Sequence, residues 1–178
     1  MFPRFKRLDT ESELYDVALR ALMRRPHSVN EMQKLLKRRA SSDLLAQVVL
    51  ARLKENGSLN DDRYAKQFTR QRTEIRRQGK FRIARDLRAR GVPDRHIEAA
   101  LAETAKDTDE AAERAAIRHR IDRKLKLTRG EISDKKIASL YRSLLAAGFP
   151  SDAVRRELKS ITHEELPVPD DPLHEASS

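Results

Sequence analysis

Hydrophobic residues recur along most of this chain at the three- and four-residue spacing of amphipathic helices, and capping residues divide the pattern into segments. Thr10 to Glu13 and Ser28 to Glu31 each have the order of a capping box, in which a hydroxyl and a glutamate bond to free amides at a helix start. Further N-cap candidates are Ser42, Asn60, Asp94, Thr108, Ser133 and Ser151. We predict nine helices, near 11–25, 29–40, 43–56, 61–78, 80–90, 95–106, 109–127, 134–147 and 152–162.

Part of this pattern repeats at an offset of 57 residues. The segment 91–94 (Gly-Val-Pro-Asp), followed by Ile97 and Leu101, recurs as 148–151 (Gly-Phe-Pro-Ser), followed by Val154 and Leu158. In each copy a helix ends at glycine, proline prevents its continuation and a new helix begins. A degenerate first copy ends at Ala40, which takes the place of the glycine. The repeats predict an all-α fold of tandem three-helix units that stack into an elongated, curved body.

We predict five regions along the chain. An N-terminal extension covers 1–10, and three-helix repeats cover 11–57, 58–107 and 108–162, the second of them strongly basic. Residues 163–178 contain five acids and three prolines but no lysine or arginine. Such a segment buries too little apolar surface to order itself, so we expect a flexible acidic tail.

The composition excludes several classes of protein. There is no cysteine among the 178 residues, which excludes a disulfide framework, a zinc finger and a thiol nucleophile. The first residues do not resemble a signal peptide, and no apolar run reaches membrane-spanning length. We therefore expect a cytoplasmic protein that does not bind membranes.

Positive charge is concentrated in one short stretch. Residues 63–90 contain eleven lysines and arginines and two acids, a net +9, against a formal charge of +10 for the whole chain. Tyr64, Phe68 and Ile75 share one face of the first helix there and are expected to point inward. The basic residues of the two helices lie on other faces; they are Arg63, Lys66, Arg70 and Arg77 in the first and Arg82, Arg85 and Arg88 in the second. Since few acids are available to pair with them, we favour a polyanionic or acidic partner over a merely solvated surface.

Smaller basic clusters lie on either side of this stretch. The first consists of Arg24, Arg25, Lys34, Lys37, Arg38 and Arg39, and the second of Arg118, Arg120, Arg123, Lys124 and Lys126.

The sequence gives little support for catalytic chemistry. The histidines lack metal-binding spacing, no phosphate-binding loop or nucleophile elbow is present, and Asp61 and Asp62 are explained by a helix N-terminus. We expect no cofactor and no metal.

The segment from Gly57 to Ala65, together with Phe68 and Arg72, resembles the signature of the RecX family of regulatory proteins. The resemblance continues through 79–83, Leu87, Gly91 and Val92, and through Leu140, Tyr141, Leu144, Leu145, Gly148 and Phe149. It extends over about Leu14 to Leu158. One departure is Lys80-Phe81, where the family often has a proline after the glycine.

The resemblance implies tandem three-helix repeats and a non-enzymatic modulator that binds RecA recombinase filaments on single-stranded DNA and inhibits their ATPase and strand exchange. Such a protein would act in recombination and DNA repair, as a monomer, by capping filament ends, binding along the groove or sequestering recombinase. The alternative is a protein that binds DNA directly through its basic helices. We expect the partner or nucleic acid to contact Arg70, Arg72, Arg76, Arg77, Lys80, Arg82, Arg85, Arg88, Arg118, Arg123, Lys124 and Lys126.

Overall fold

The computed structural model of the protein describes residues 7–107, 110–126 and 132–162, and these ranges contain nine α-helices and no strand. The helices are α1 (Glu11–Arg24), α2 (Val29–Arg39), α3 (Asp43–Glu55), α4 (Asp61–Glu74), α5 (Lys80–Ala89), α6 (Asp94–Asp107), α7 (Glu110–Leu125), α8 (Asp134–Ala146) and α9 (Ser151–Thr162). The predicted all-α fold class is confirmed. The predictions that concern the first six residues, Thr108 and the tail over 163–178 lie outside the described ranges.

Most of the predicted caps begin a helix in the expected way. Ser28 forms a complete capping box with Glu31, whereas the Thr10 hydroxyl accepts the Glu13 amide and donates to the Glu13 carboxylate. The side chains of Ser42 and Asn60 also cap their helices, as is common for serine and asparagine at this position. Asp94 and Ser151 were expected to cap α6 and α9, and they are instead the first residue of each helix.

The end of α4 differs most from the prediction. The helix stops at Glu74, four residues before the expected end at 78. Arg77 then takes a positive φ of 47°, and the amide of Gln78 donates to the carbonyl of Arg72. Ile75, which was expected to point inward, lies in the turn and is 74% exposed. Its expected burial was wrong, because Ile75 is the C-cap residue of α4 and lies beyond the part of the helix, up to Thr69, that packs into the core of unit 2.

Each consecutive set of three helices encloses its own hydrophobic cluster, so we call α1–α3 unit 1, α4–α6 unit 2 and α7–α9 unit 3. The cluster of unit 1 includes Leu14, Met32 and Leu53; that of unit 2 includes Phe68, Leu87 and Ile97; that of unit 3 includes Ile117, Leu144 and Leu158. Three separate clusters are expected when each helix is short and has one apolar face. Neighbouring units are then joined by a small number of specific contacts rather than by one common core.

The repeated turns have the same hydrogen bonds in units 2 and 3. Gly91 and Gly148 have φ of 72° and 89°, and each donates its amide to the carbonyl three residues earlier. The following residue, Val92 or Phe149, donates to the carbonyl five residues earlier and buries its side chain. Both turns are Schellman motifs, which satisfy the last carbonyls of a helix. In unit 1 the equivalent Ala40 has φ of −74°, so this copy lacks the left-handed residue.

Units 1 and 2 meet where the start of α2 lies against the turn between α5 and α6. Ser28 is fully buried, and its Oγ donates to the carbonyl oxygen of Arg90 at 2.6 Å. The amide of Val29 donates to Oδ1 of Asp61 at 2.9 Å. We call this contact junction 1–2.

Units 2 and 3 meet in the same relative positions, with the start of α5 against the turn between α8 and α9. The amide of Gly79 donates to the carbonyl of Ala147 at 2.9 Å, and that of Phe81 donates to Gly148 at 3.2 Å. A Cβ atom at Gly79 would lie 2.1 Å from the carbonyl oxygen of Gly148. In this contact, which we call junction 2–3, the two backbones therefore touch.

The corresponding turn of unit 1, at Ala40, contacts the segment that precedes α1. There the chain's own Leu8 donates its amide to the carbonyl of Arg39 at 2.8 Å and accepts the amide of Ser41 at 2.9 Å. This short bridge satisfies backbone groups of the turn between α2 and α3.

Candidate partner-binding surface

The basic residues at the start of α4 are bound within the molecule, Lys66 by two carboxylates and Arg63 by a backbone carbonyl. Lys66 lies 3.3 Å from the carboxylate of Asp62 and 3.1 Å from that of Glu103, and the hydrogen bonds to Glu103 and then Asp62 raise the pKa of the Lys66 ammonium. Arg63 donates to the carbonyl of Gly57 at 2.6 Å. Asp62 and Glu103 both lie outside the stretch 63–90, so the positive charge there is smaller than its own composition suggests.

Three of the predicted partner-binding arginines also pair with carboxylates. Arg70 contacts Glu74 at 3.0 Å, and Arg88 contacts Asp94 at 2.6 Å. Arg82 lies 4.0 Å from Asp86 and is half-buried. The expectation that these basic faces lack acidic partners was therefore wrong for part of the surface, because the fold supplies acids from α6 and from the same helices. Exposed pairs of this kind contribute little to folding but do reduce the local charge.

Two further predicted residues contact aromatic rings. The guanidinium of Arg72 lies 4.7 Å from the ring centre of Phe68, and its Nε is buried without a hydrogen bond among the described residues. Arg90 lies 4.9 Å from the same ring. Lys80 lies 5.5 Å from the ring of Phe81, which is itself 60% exposed. Arg72 thus covers the core of unit 2 with its long side chain, in addition to any role toward a partner.

The predicted residues on α7 divide into two groups. Arg118 and Arg114 both bond the carboxylate of Glu157, whose side chain is only 4% exposed. Lys124 donates to the hydroxyl of Ser143 at 2.6 Å. Arg118 and Lys124 therefore tie α7 to α9 and α8. Arg123 and Lys126 are exposed and form no ion pair within the described ranges.

Four of the predicted partner-binding arginines remain available for a partner. Within the part of the chain that the structure describes, their side chains are exposed and make no hydrogen bond or ion pair. We call them the unpaired arginines; they are Arg76, Arg77, Arg85 and Arg123. All four belong to the residues that the sequence predicted as partner-binding. Arg76 and Arg77 follow α4, whereas Arg85 and Arg123 lie on α5 and α7.

Three of the unpaired arginines surround a cavity of about 340 Å³ next to junction 2–3. Arg76 and Arg77 line it from the end of α4, and His119, Arg120 and Arg123 line it from α7. We call this site the arginine pocket. Glu74 is its one acidic lining residue, and that carboxylate is bound by Arg70.

Arg120 holds the arginine pocket together and was absent from the predicted partner-binding residues. Its Nε donates to the carbonyl of Arg77 at 3.0 Å, and its Nη2 donates to that of Arg76 at 2.9 Å. Burial, and then the charges of Arg123 and Arg82, lower the pKa of the Arg120 guanidinium. The signal in the sequence was its spacing of three residues from Ile117, which places Arg120 next to the buried face of α7.

A larger cleft of about 1580 Å³ separates α4 and α6 from α7. Its walls include apolar residues such as Ala100 and Phe149 and charges of both signs, among them Lys66 and Glu113. In the described ranges, no three histidine or acidic side chains come close enough together to hold a metal ion. No helix in these ranges combines the length and the apolar character needed to cross a bilayer.

Comparison with known proteins gives consistent matches. The family model for the second three-helix domain of RecX matches residues 60–101. Regulatory protein RecX of Halorhodospira halophila is 37% identical over 141 residues, which cover 79% of this chain and 83% of that protein. Regulatory protein RecX of Streptomyces coelicolor is 30% identical over 149 residues, which cover 84% and 77%.

Solved structures share the fold. A crystal structure of regulatory protein RecX superposes with a TM-score of 0.72 at 18% identity, covering 84% of this chain and 71% of that one. RecX from Lactobacillus salivarius superposes with a TM-score of 0.67 at 18% identity, covering 86% and 97%. Tandem three-helix units are therefore common to these chains and to the one described above.

Proposed function

Because this chain belongs to the RecX family of regulatory proteins, we propose that it binds RecA recombinase filaments on single-stranded DNA and inhibits their ATP hydrolysis and strand exchange. In this proposal it catalyses no reaction itself. Recombination and DNA repair are the processes that it would regulate.

The unpaired arginines are the observation that supports this proposal beyond family membership. They project from units 2 and 3 in a region where other cations are already bound by Glu74, Asp94 or Glu157. A filament of recombinase on DNA is a long polyanion, and contacts with several phosphates or acidic side chains add up along it. The charges left over after folding are the ones available for such contacts.

The proposal is tested by the rate of ATP hydrolysis of recombinase assembled on single-stranded DNA. We expect added protein to lower this rate. Changing all four unpaired arginines to glutamate should raise the concentration needed for half-inhibition by about tenfold or more, since four exposed charge contacts of about 0.5 kcal/mol each sum to roughly 2 kcal/mol. Circular dichroism should show an unchanged helix content, because these side chains make no contacts that stabilise the fold.

A matched control reverses the same number of charges in unit 1. Arg24, Lys34, Arg38 and Lys54 are exposed and, within the described ranges, form no ion pair. Their reversal to glutamate should leave most of the inhibition. Unchanged ATP hydrolysis with the parent protein in several-fold excess over recombinase contradicts the proposed function. Equal loss in both variants contradicts only the assignment of the surface.

A further inference from the structure

The arginine pocket has the properties of a site for an anion. Arg76 and Arg77 approach it from the turn after α4 and Arg123 from α7, and they have no carboxylate partner in the described part of the chain. Resting on the function proposed above, we infer that this pocket binds a backbone phosphodiester of the single-stranded DNA in the recombinase filament. The unpaired guanidinium groups would donate to the phosphate oxygens, while Arg120 holds the loop that carries two of them.

The positive potential of the pocket is fixed by the fold. Arg120 uses its guanidinium on the carbonyls of Arg76 and Arg77 at 2.9 and 3.0 Å, so it anchors the turn after α4 to α7. Its charge nevertheless stays next to those of Arg123 and Arg82, which lower its pKa. Cations held this close favour the arrival of an anion, since Glu74, the acidic residue in the lining, is already bound by Arg70.

The backbone of Arg77 is a second and independent observation. Arg77 is the one non-glycine residue with positive φ, at 47°, among those that the structure describes. Glycine adopts this conformation without strain, whereas a residue with a side chain does so at some cost. The cost of an arginine at this position is explained if its guanidinium has a function at the edge of the pocket.

Phosphodiester suits the pocket better than a protein carboxylate. Each guanidinium is a planar fork of donors that matches the oxygens of phosphate, and three forks exceed what one carboxylate can accept. A DNA strand brings successive phosphates past the same surface. Ile75 at the rim is 74% exposed and gives the sugar an apolar contact surface.

The test is binding of a fluorescent oligothymidylate over a series of salt concentrations, measured by anisotropy. The pocket variant combines Arg76→Gln, Arg77→Gly and Arg123→Gln; the glycine suits the positive φ, so the fold is preserved. Each phosphate contact on a single strand contributes about 0.7 to the slope of log affinity against log salt. Since the pocket holds one phosphodiester, we expect the slope to fall by about 0.7 in this variant, with about tenfold weaker binding at low salt.

A charge-matched control separates a pocket from general attraction. Arg24→Gln, Lys34→Gln and Arg38→Gln remove the same charge from exposed side chains of unit 1. The control should keep the parental slope. An unchanged slope in the pocket variant, or an equal fall in both variants, overturns the inference.

A second probe identifies the group that is bound. On an oligothymidylate with uncharged methylphosphonate linkages, the parent and the pocket variant should bind alike. Weaker binding by the pocket variant there would mean that the pocket contacts bases or sugars, and the phosphodiester assignment would be wrong.

The same proteins distinguish this inference from the proposed function. Suppose that the parent inhibits ATP hydrolysis and that parent and pocket variant have the same salt dependence of DNA binding. The assignment of the pocket to phosphate is then wrong, and the proposed function stands. If the parent leaves ATP hydrolysis unchanged but the slopes differ as expected, the pocket binds DNA phosphate and the role on the filament is wrong.

Discussion

Junctions 1–2 and 2–3 have the same backbone arrangement and different chemistry. In both, the start of a middle helix lies against a glycine turn of the next unit. Junction 1–2 is made by side chains, with Ser28 and Asp61 as its bonding groups. Junction 2–3 is made by the backbones of Gly79 and Gly148.

The difference shows how one repeated contact can serve two purposes. Near junction 1–2, Arg25 is bound by Glu31 at 3.2 Å, so positive charge is cancelled where the units meet. Next to junction 2–3, Arg120 bonds only carbonyls there, and Arg76, Arg77 and Arg123 stay unpaired among the described residues. The first junction is a structural connection, while the second also concentrates charge for a partner.

The largest expected effect is at the backbone contact. A Cβ atom at Gly148 would lie 2.3 Å from the amide nitrogen of Arg82 in α5, and φ there is 89°. We expect Gly148→Ala to lower the free energy of unfolding by about 3–5 kcal/mol, from backbone strain together with overpacking. Urea denaturation measures this loss.

Gly91→Ala is the matched change at the other junction. There the added Cβ meets the side chain of Asn30, with Nδ2 at 2.0 Å. Combining Gly91→Ala with Asn30→Gly should restore part of the lost stability, because the obstacle is a side chain. No single side-chain deletion should rescue Gly148→Ala, and such a rescue would contradict the backbone contact.

A smaller loss is expected at Ser28. Ser28→Ala removes both the cap of α2 and the bond to the carbonyl of Arg90. We expect about 2 kcal/mol, roughly half from the cap and half from the lost bond to the Arg90 carbonyl, which would keep only the longer bond from Asn30 at 3.4 Å. Ser42→Ala is the control, since Ser42 caps α3 at an exposed position; it should cost about 1 kcal/mol or less. Similar losses in thermal or urea melts of the two variants would show that the bond across the junction contributes nothing.

The smallest effect is a dependence on pH confined to junction 1–2. Burial lowers the pKa of His27 below its ordinary 6.5. Although burial acts in the opposite direction on Glu31, hydrogen bonds from Arg25 and from the Ser28 amide lower the pKa of Glu31 below 4.5. Both groups bind protons more readily in the unfolded chain, so stability is complete above pH 6.5, falls as His27 of the unfolded chain protonates, and falls again below 4.5.

Urea denaturation on either side of pH 6.5 measures the first of these losses. His27→Gln should remove it, because glutamine does not titrate. A parental pH dependence in that variant would assign the effect to another group. Arginine does not titrate in this range, so the guanidinium charges of the arginine pocket at junction 2–3 should stay constant throughout.

Local patterns predicted the helices and turns well because those depend on neighbouring residues. The repeat of Gly91 at Gly148 shows this, since both turns have the same hydrogen bonds. The candidate surface was harder to predict. Lys66 is neutralised by Glu103, and Arg118 by Glu157 from 39 residues away, so the charge that remains exposed depends on which helices become neighbours.

Ile75 and Arg120 show that burial could not be predicted from local sequence alone. Ile75 has the spacing of a core residue but follows the end of α4. Arg120 has the character of a surface residue but bonds carbonyls from another unit. The division into regions that the sequence predicts, including the boundaries at 57, 107 and 162, remains a prediction.

The contact between Gly79 and Gly148 has a consequence for inheritance. Any missense change in either codon places a Cβ atom within 2.1 to 2.3 Å of the other unit's backbone. In a genetic screen for loss of regulation, alleles at these two codons should therefore be recovered alongside alleles at the arginines. They should behave as recessive alleles with little protein present, whereas arginine alleles should accumulate normally. Second-site suppressors should be rare, because the obstacle at each glycine is main chain that no other codon can remove.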